Sequence, residues 1–468
     1  MTLPRGNEFQ LELTNSLVMG VTLTPGEDTF PTPVAVFDSS MGEWWPSGSG
    51  DAYEIELNVT GIAVNGAAKP ALMRIYYELV AASVDAGADT ITFATPHGLE
   101  TADGAGQWTT SAADLPAGLS LATDYWVIKV SDTVIKVATS EANARAGTAV
   151  DITDAGTGTH TFTCLKIADI DVSCASSTIG NRGQTWACPL WIPRLTKIMG
   201  SVSVGNATVG TAVVTLYLAC KPTKEYALRA CTFVRTFGAV PASSTGTSVT
   251  PGSATKGSYA SLGTTAEDLR WWTVGVGQDS TTMANVNYYT DLALDVGGGA
   301  ERIAVHNRDI RSASQEILTS RVQGRWRAST SGETVHARIQ QSGGAAQTGV
   351  HCIAYGAGGR RVEAGSTSHT VAGTVTIDGA AAANGETVEI FAVDTDDVAE
   401  LVATTTVAGS AGAFTVDVPD GSRLYFASYD DGADAGRSLY GTPETDTFDI
   451  TIGGSGGGPS LARVINHA

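Results

Sequence analysis

The side chains with the clearest potential for chemistry are acidic and lie in two tight groups, Asp394-x-Asp396-Asp397 and Asp430-Asp431. Paired carboxylates can act as acid and base in glycoside hydrolysis, and several oxygens from adjacent loops can hold Ca²⁺. Both groups read first as turns of an acidic β-domain, with calcium as the alternative. The seven histidines are scattered. His97 and His160 fall in turn-rich surroundings and His336 and His351 in strand-like runs, so all four are expected to be structural. No G-x-S-x-G elbow, H-E-x-x-H or Walker motif occurs, nor a G-x-G-x-x-G between a strand and a helix; the string Gly453-Gly454-Ser455-Gly456-Gly457 falls in the Gly-rich tail. No catalytic residue, cofactor or metal ligand is assigned, and the chain is expected not to be an enzyme.

The six cysteines, Cys164, Cys174, Cys188, Cys220, Cys231 and Cys352, show no C-x-x-C spacing, which argues against zinc. They read as buried thiols. Cys220 and Cys231 flank a hairpin-like segment and are the best pair for a disulfide formed late, after release from a reducing compartment. The candidate contacts with partner or receptor are Trp44, Trp45, Trp108, Trp271, Trp272, Arg308, Arg311 and Arg325, because Trp and Arg are favoured at interfaces. For Trp44-Trp45, next to Pro46, the alternative is a cap on the core edge. For the arginines, crowded with Arg302, Arg321 and Arg327, it is pairing with acidic neighbours.

The elements that must position these residues are strands. In 468 residues only 16% are charged, 54 are Gly, and small or β-branched types dominate, while almost no segment repeats its apolar residues every 3.6 positions. Tyr53-Glu54-Ile55-Glu56-Leu57-Asn58-Val59 alternates as a half-buried strand does. Residues 89–93, 125–130 and 133–138 do the same more loosely. Ser131-Asp132 has hairpin spacing, residues 115–119 form a Pro/Gly turn, and 140–145 can form a short helix capped by Ser140. Residues 212–220 are apolar enough for a strand buried on both faces. Residues 238–266, mostly Ser, Thr, Gly, Ala and Pro, read as a long polar connection of the kind ordered by a partner.

The formal net charge of −20 argues against nucleic acid as a partner, and no apolar run reaches the 18 or so residues of a membrane-spanning helix. Met1-Thr2-Leu3-Pro4-Arg5 lacks an apolar signal core, so synthesis in a cytoplasm is expected. Residues 366–468 hold eleven Asp and four Glu against three Arg and no Lys, and so carry −12 of the −20. Such an exterior keeps an exposed module soluble.

The expected fold is all-β and multidomain. A β-sandwich or jelly-roll-like main domain spans 1–81 plus 164–358, interrupted by a small β module at 82–163. A sandwich at 368–452 and a flexible tail at 453–468 follow. The apolar-tipped end of that tail (Leu461, Val464, Ile465) either docks on a neighbouring subunit or frays.

Two stretches carry resemblances. His97-Gly98-Leu99, the Thr-x-Asp-Gly of Thr101 to Gly104, Leu115-Pro116-x-Gly118-Leu119, Tyr125-Trp126-Val127-Ile128-Lys129 and the Ala-Gly-Thr-Ala-Val-Asp-Ile-Thr-Asp-Ala-Gly-Thr-Gly-Thr-His run ending at His160 together resemble a module recurring in structural proteins of tailed bacteriophages. The early Gly373-x-Val375-x-x-Asp378-Gly379 and its spaced strands resemble immunoglobulin-like or carboxypeptidase-regulatory-like sandwiches. These resemblances imply a non-enzymatic virion structural protein, exterior on head, neck (collar) or tail, for instance as decoration or fibre. It would be made in the host cytoplasm, assembled as a homo-oligomer (a trimer is the guess) and in contact with other virion proteins. The alternative they leave open is a fibre or spike protein binding a host-surface glycan or receptor. A hydrolytic tailspike ranks last, because no repeat of β-helix period is present.

Overall fold

The computed structural model describes residues 10–13, 21–37, 51–52, 54–60, 71–172, 184–204, 212–219, 231–240, 246–278, 286–296, 302–312, 318–320, 331–342, 349–359, 369–393, 399–418, 424–430, 435–438 and 447–452. Strands are their dominant element, as the composition predicts; the helix Glu141–Arg145 is a single short one among the described residues. None of their helices is long and apolar enough to cross a membrane. The chain divides into two compact units, 1–361 and 362–468.

The first unit contains two sandwiches and a barrel. In the first sandwich, one sheet runs Gln10–Leu13, Ala212–Ala219, Glu54–Thr60, Gln184–Cys188. The facing sheet is built on Lys197–Val204, Ala71–Asp85 and His160–Asp171. Ile55, Leu57 and Trp186 from one sheet meet Ile75, Tyr77, Ile198 and Val202 from the other in a common core. Each such buried aliphatic side chain contributes roughly 1.5–3 kcal/mol.

Ala71–Asp85 and His160–Asp171 do not stop at the edge of this sandwich. Their paired ends continue into the module, where the ladder proceeds through Thr90–Phe93, Val134–Ala138 and Trp126–Lys129. Gly104–Thr110 pairs with His160–Asp171 on its other side. The Gly106–Tyr125 bridge then joins this strand to Trp126–Lys129, so the module closes into a six-stranded barrel without a free edge. The predicted strands, hairpin and helix of the module are all present, and Ser140 Oγ accepts from the Asn143 amide as the expected cap.

Trp108 and Phe162 stack inside the barrel with centroids 4.5 Å apart. Gly106 is required beside them, because a Cβ there would lie 2.5 Å from the Phe162 ring. His97 is fully buried. Its Nδ1 accepts from the Leu99 amide at 2.9 Å, which leaves Nε2 to donate to the Ser131 carbonyl at 2.9 Å.

The same unit holds a second sandwich beside the first. Its first sheet runs Phe233–Phe237, Val350–Gly358, Leu269–Gln278, Leu318–Ser320, and its second Ala260–Thr264, Thr334–Gln341, Val286–Leu294, Arg302–Ser312. Trp272, Val274 and Val276 meet Tyr288, Leu292, Val335, Ala337 and Ile339 in a core of their own. All nine residues of Val350–Gly358 are buried. Ile353, Tyr355 and Ala357 belong to the first core, Val350, Cys352 and Ala354 to the second.

The polar connection at 238–266 differs from the expectation, apart from 241–245, which lie outside the described residues. It supplies the strands Thr247–Ser248 and Ala260–Thr264, with Val249 and Leu262 as buried anchors. Backbone bonds from Gly252 and Gly257 to the Ile339 carbonyl hold its turn, so the chain itself orders this segment.

The second unit is a sandwich of its own, with His369–Ile377 and Ala413–Val418 in one sheet and Ala399–Thr406, Thr387–Val393 and Leu424–Asp430 in the other. Val371, Val388, Ile390, Phe414, Tyr425 and Phe448 fill its core.

Two buried rings give the fold a pH dependence. Burial lowers His97 to about 4, against an opposing pull from the Ser131 carbonyl, and lowers His351 to about 4. The folded state keeps both rings neutral, while the unfolded chain binds protons from about pH 6.5 downward. Their contribution is complete above 6.5 and is lost as pH falls towards 4. Urea unfolding at pH 5 should therefore show about 1–2 kcal/mol less stability per ring than at pH 7. Equal stabilities at the two pH values would contradict the neutral His97.

Candidate functional site

Barrel, first sandwich and second sandwich meet around a buried cluster of charge. Along His160–Asp171 the inward row His160, Phe162, Cys164 ends in Lys166, whose side chain is fully buried, at a register shift between Leu165 and Ile167. Its Nζ donates to Asp103 Oδ2 at 2.6 Å and to the Thr232 carbonyl at 2.7 Å. Asp103, also fully buried, lies in the Thr-x-Asp-Gly segment and accepts from the Glu100 amide at 2.9 Å. Its other oxygen accepts from Arg235 Nη1 of the second sandwich at 2.9 Å.

Arg235 continues the chain to Glu267, with 3.0 Å from Nε and 2.8 Å from Nη2. Arg145, on the barrel's helix, donates to the same Glu267 at 2.9 Å and to Glu141 at 2.7 Å. The sequence thus runs Lys166, Asp103, Arg235, Glu267, Arg145, Glu141, alternating in sign at every step.

Alternation decides the electrostatics. Burial alone would raise the Asp103 pKa, but Lys166 and Arg235 outweigh it and hold the carboxyl below its ordinary value. Burial opposes the Arg235 charge as well, and Asp103 and Glu267 more than compensate, so its pKa rises. Tyr77 and Cys164, beside this cluster, are pushed well up, chiefly by burial. Neither offers a ready nucleophile.

Above the cluster lies a cavity of about 400 Å³. Its walls are Trp126 and the helix residues Glu141 and Arg145 on the barrel side, and Arg235, Gly263 and Glu267 on the sandwich side. Trp126 points away from the barrel interior, opposite in phase to the buried Val127, and lies across Gly104, where a Cβ would fall 2.0 Å from its ring. Ala102 and Ala105, on either side of Asp103-Gly104, have φ of 72° and 51°. Left-handed alanines are strained, and such strain concentrates where the surroundings fix a segment for a purpose.

A second cluster lies within the second sandwich. Asp291, fully buried at a bulge, accepts from Lys256 Nζ at 2.8 Å, Arg338 Nε at 2.9 Å and the Asn307 amide at 2.8 Å. Burial works against its charge, and these donors bring its pKa below the ordinary value.

The expected contact residues fare differently. Trp108 and Trp272 are core residues, 1% and 0% exposed, and cannot serve as surface contacts. The phase opposite Trp272 on its strand is Leu269, Trp271, Thr273 and Gly275, so its spacing gave no warning, whereas Trp108 alternates with the exposed Gln107 and Thr109, a pattern that marks it as inward. Trp271 is partly buried against the first core. Arg308 is half-buried opposite Thr290 and has partners of its own. Arg311 lies on the strand Arg302–Ser312, with its side chain outside the described set. Trp44, Trp45 and Arg325 lie outside the described residues, as do Asp394, Asp396, Asp397, Asp431, Cys174 and Cys220. Cys164 and Cys352 are buried free thiols, Cys352 pushed up to about 12 by burial.

Spacing alone did not reveal the charge cluster, whose members lie as far apart as Asp103 and Glu267. One signal was available. Lys166 occupies an inward position of an alternating strand, where a cation must find a buried anion.

The cluster's weight in the fold is measurable. Asp103→Asn leaves Lys166 and Arg235 without their shared carboxylate, and should destabilise the first unit by about 3–5 kcal/mol. Adding Lys166→Met should recover part of that loss. A double variant as unstable as the sum of the two single changes would show that the pair does not act as a unit.

No protein-family model matches the chain, and neither curated proteins nor solved structures give a significant match.

Proposed function

We propose that the protein is a non-enzymatic structural component of a tailed-phage virion, an exterior appendage of head, neck or tail that acts through contacts between copies and with other virion proteins. The observation that carries this reading is how the module at 82–163 is attached. The stretch with the phage-module resemblance is a closed barrel continuous with the first sandwich through Ala71–Asp85 and His160–Asp171, and clamped to the second by Asp103, Lys166 and Arg235. A barrel fixed in this way is joined firmly to both sandwiches, which suits a part that transmits position and force. The charged groups of the cluster are matched in ion pairs, which supports a structural role for them.

Light scattering on the full chain, with and without reductant, tests the reading. The expected result is one closed homo-oligomer, a trimer on the analogy of fibre-like β-proteins, with a mass insensitive to dilution and to reductant. A monomer at every concentration would overturn the self-assembling appendage.

A further inference from the structure

We propose that the cleft between barrel and second sandwich binds a neutral saccharide, with Trp126 as the stacking platform and Glu267, Arg145 and Glu141 as hydrogen-bonding partners. Three observations converge on that ligand class.

Size comes first. The cavity of about 400 Å³ falls inside the range of roughly 300–1,000 Å³ typical of small-molecule sites, and it lies between substructures, where such sites concentrate.

The second observation is the aromatic wall. Trp126 is half-buried, with its indole laid over the backbone of Gly104. The barrel fixes its position, because Val127 next to it is locked in the core and Ala138 is paired across from it. An indole held in this way presents an apolar surface beside polar groups, as the C–H face of a pyranose ring requires.

Charge balance is the third, and it selects the ligand. The lining carries Arg235, Arg145 and Lys166 against Asp103, Glu267 and Glu141. A phosphate or sulfate would meet a carboxylate beside every arginine, and a metal cation would meet carboxylates already paired with arginine or lysine. A hydroxyl-rich neutral molecule has neither conflict, since each hydroxyl both donates and accepts. The groups nearest solvent are the ones able to serve it. Side-chain exposure rises from zero at Asp103 and Lys166 to 18% at Glu267, 26% at Arg145 and 54% at Glu141. Both arginines bond Glu267 through Oε1, which leaves Oε2 as an acceptor for a ligand hydroxyl. Because the ion pairs already hold these side chains in place, little ordering remains to be done on binding.

The site does not rest on the virion reading, and an oligomer mass that overturns that reading leaves this one untouched. The test uses the full chain and a panel of neutral oligosaccharides built from glucose, galactose, mannose and N-acetylglucosamine, read by saturation-transfer NMR and tryptophan fluorescence. The expected result is binding of at least one member, undisturbed by inorganic phosphate or Ca²⁺. Trp126→Ala should weaken it by about tenfold or more, as loss of a central aromatic anchor does. Glu141→Gln, at the exposed mouth, keeps the test open if Trp126→Ala fails to fold, and should weaken the same ligand without shifting the melting temperature. Absence of binding across the panel, displacement by phosphate, or full affinity in both variants would overturn the proposal.

Discussion

The strand Val350–Gly358 is buried along its whole length, and its alternate residues belong to different cores. A strand in that position has no solvent face, so it can carry neither charge nor excess volume on either side. Its composition follows. Ala354, Gly356, Ala357 and Gly358 keep it thin, and a Cβ on Gly356 would lie 2.6 Å from Leu269 Cδ1. Tyr355 is the large exception. Its hydroxyl accepts from the Asp171 amide at 2.7 Å, so one ring fills the first core and also holds the strand that leads into the barrel. The two sandwiches cannot part without exposing one face of this strand, and they therefore behave as one body with two cores.

That constraint explains why charge is buried where the barrel joins. Apolar packing between curved β-surfaces tolerates sliding, whereas an alternating row of six charges is satisfied in one register only. The desolvation penalty is large for each ion, and it is offset because Asp103 receives Lys166, Arg235 and a backbone amide together. Asp291 follows the same rule inside the second sandwich. A bulge turns its carboxylate inward, and Lys256 and Arg338 arrive from a turn and from a neighbouring strand to meet it. In both places an aspartate at an irregular point in the backbone fixes the elements around it.

These features differ in how far the sequence discloses them. The barrel's strands, its hairpin and its capped helix were legible, because period-two alternation and Ser140 act within a few residues. Closure of the barrel was not, since the Gly106–Tyr125 bridge joins segments that carry no mark of pairing. The second core was hidden for a related reason. In Val350–Gly358 both phases are apolar or small, so periodicity says the strand is buried but not that two cores share it. The polar connection at 238–266 misled because Ser and Thr suit loops and edge strands equally, and only Val249 and Leu262 mark where it returns to the sheet. Trp108 and Trp272 misled in the opposite sense, since a tryptophan's type favours interfaces while its environment alone decides whether it reaches one.

The cleft follows from the same geometry that needs the clamp. Where barrel and sandwiches meet, side chains leave part of the junction unfilled. Its deep end is closed by the fully buried Lys166–Asp103 pair. Its outer end remains open because Glu267, Arg145 and Glu141 extend across it without filling it. Gly104 is the hinge of this division. With no Cβ it lets Trp126 lie flat on the segment that carries Asp103, so the aromatic wall and the buried carboxylate are set by one turn of backbone. The strain at Ala102 and Ala105 marks the same turn.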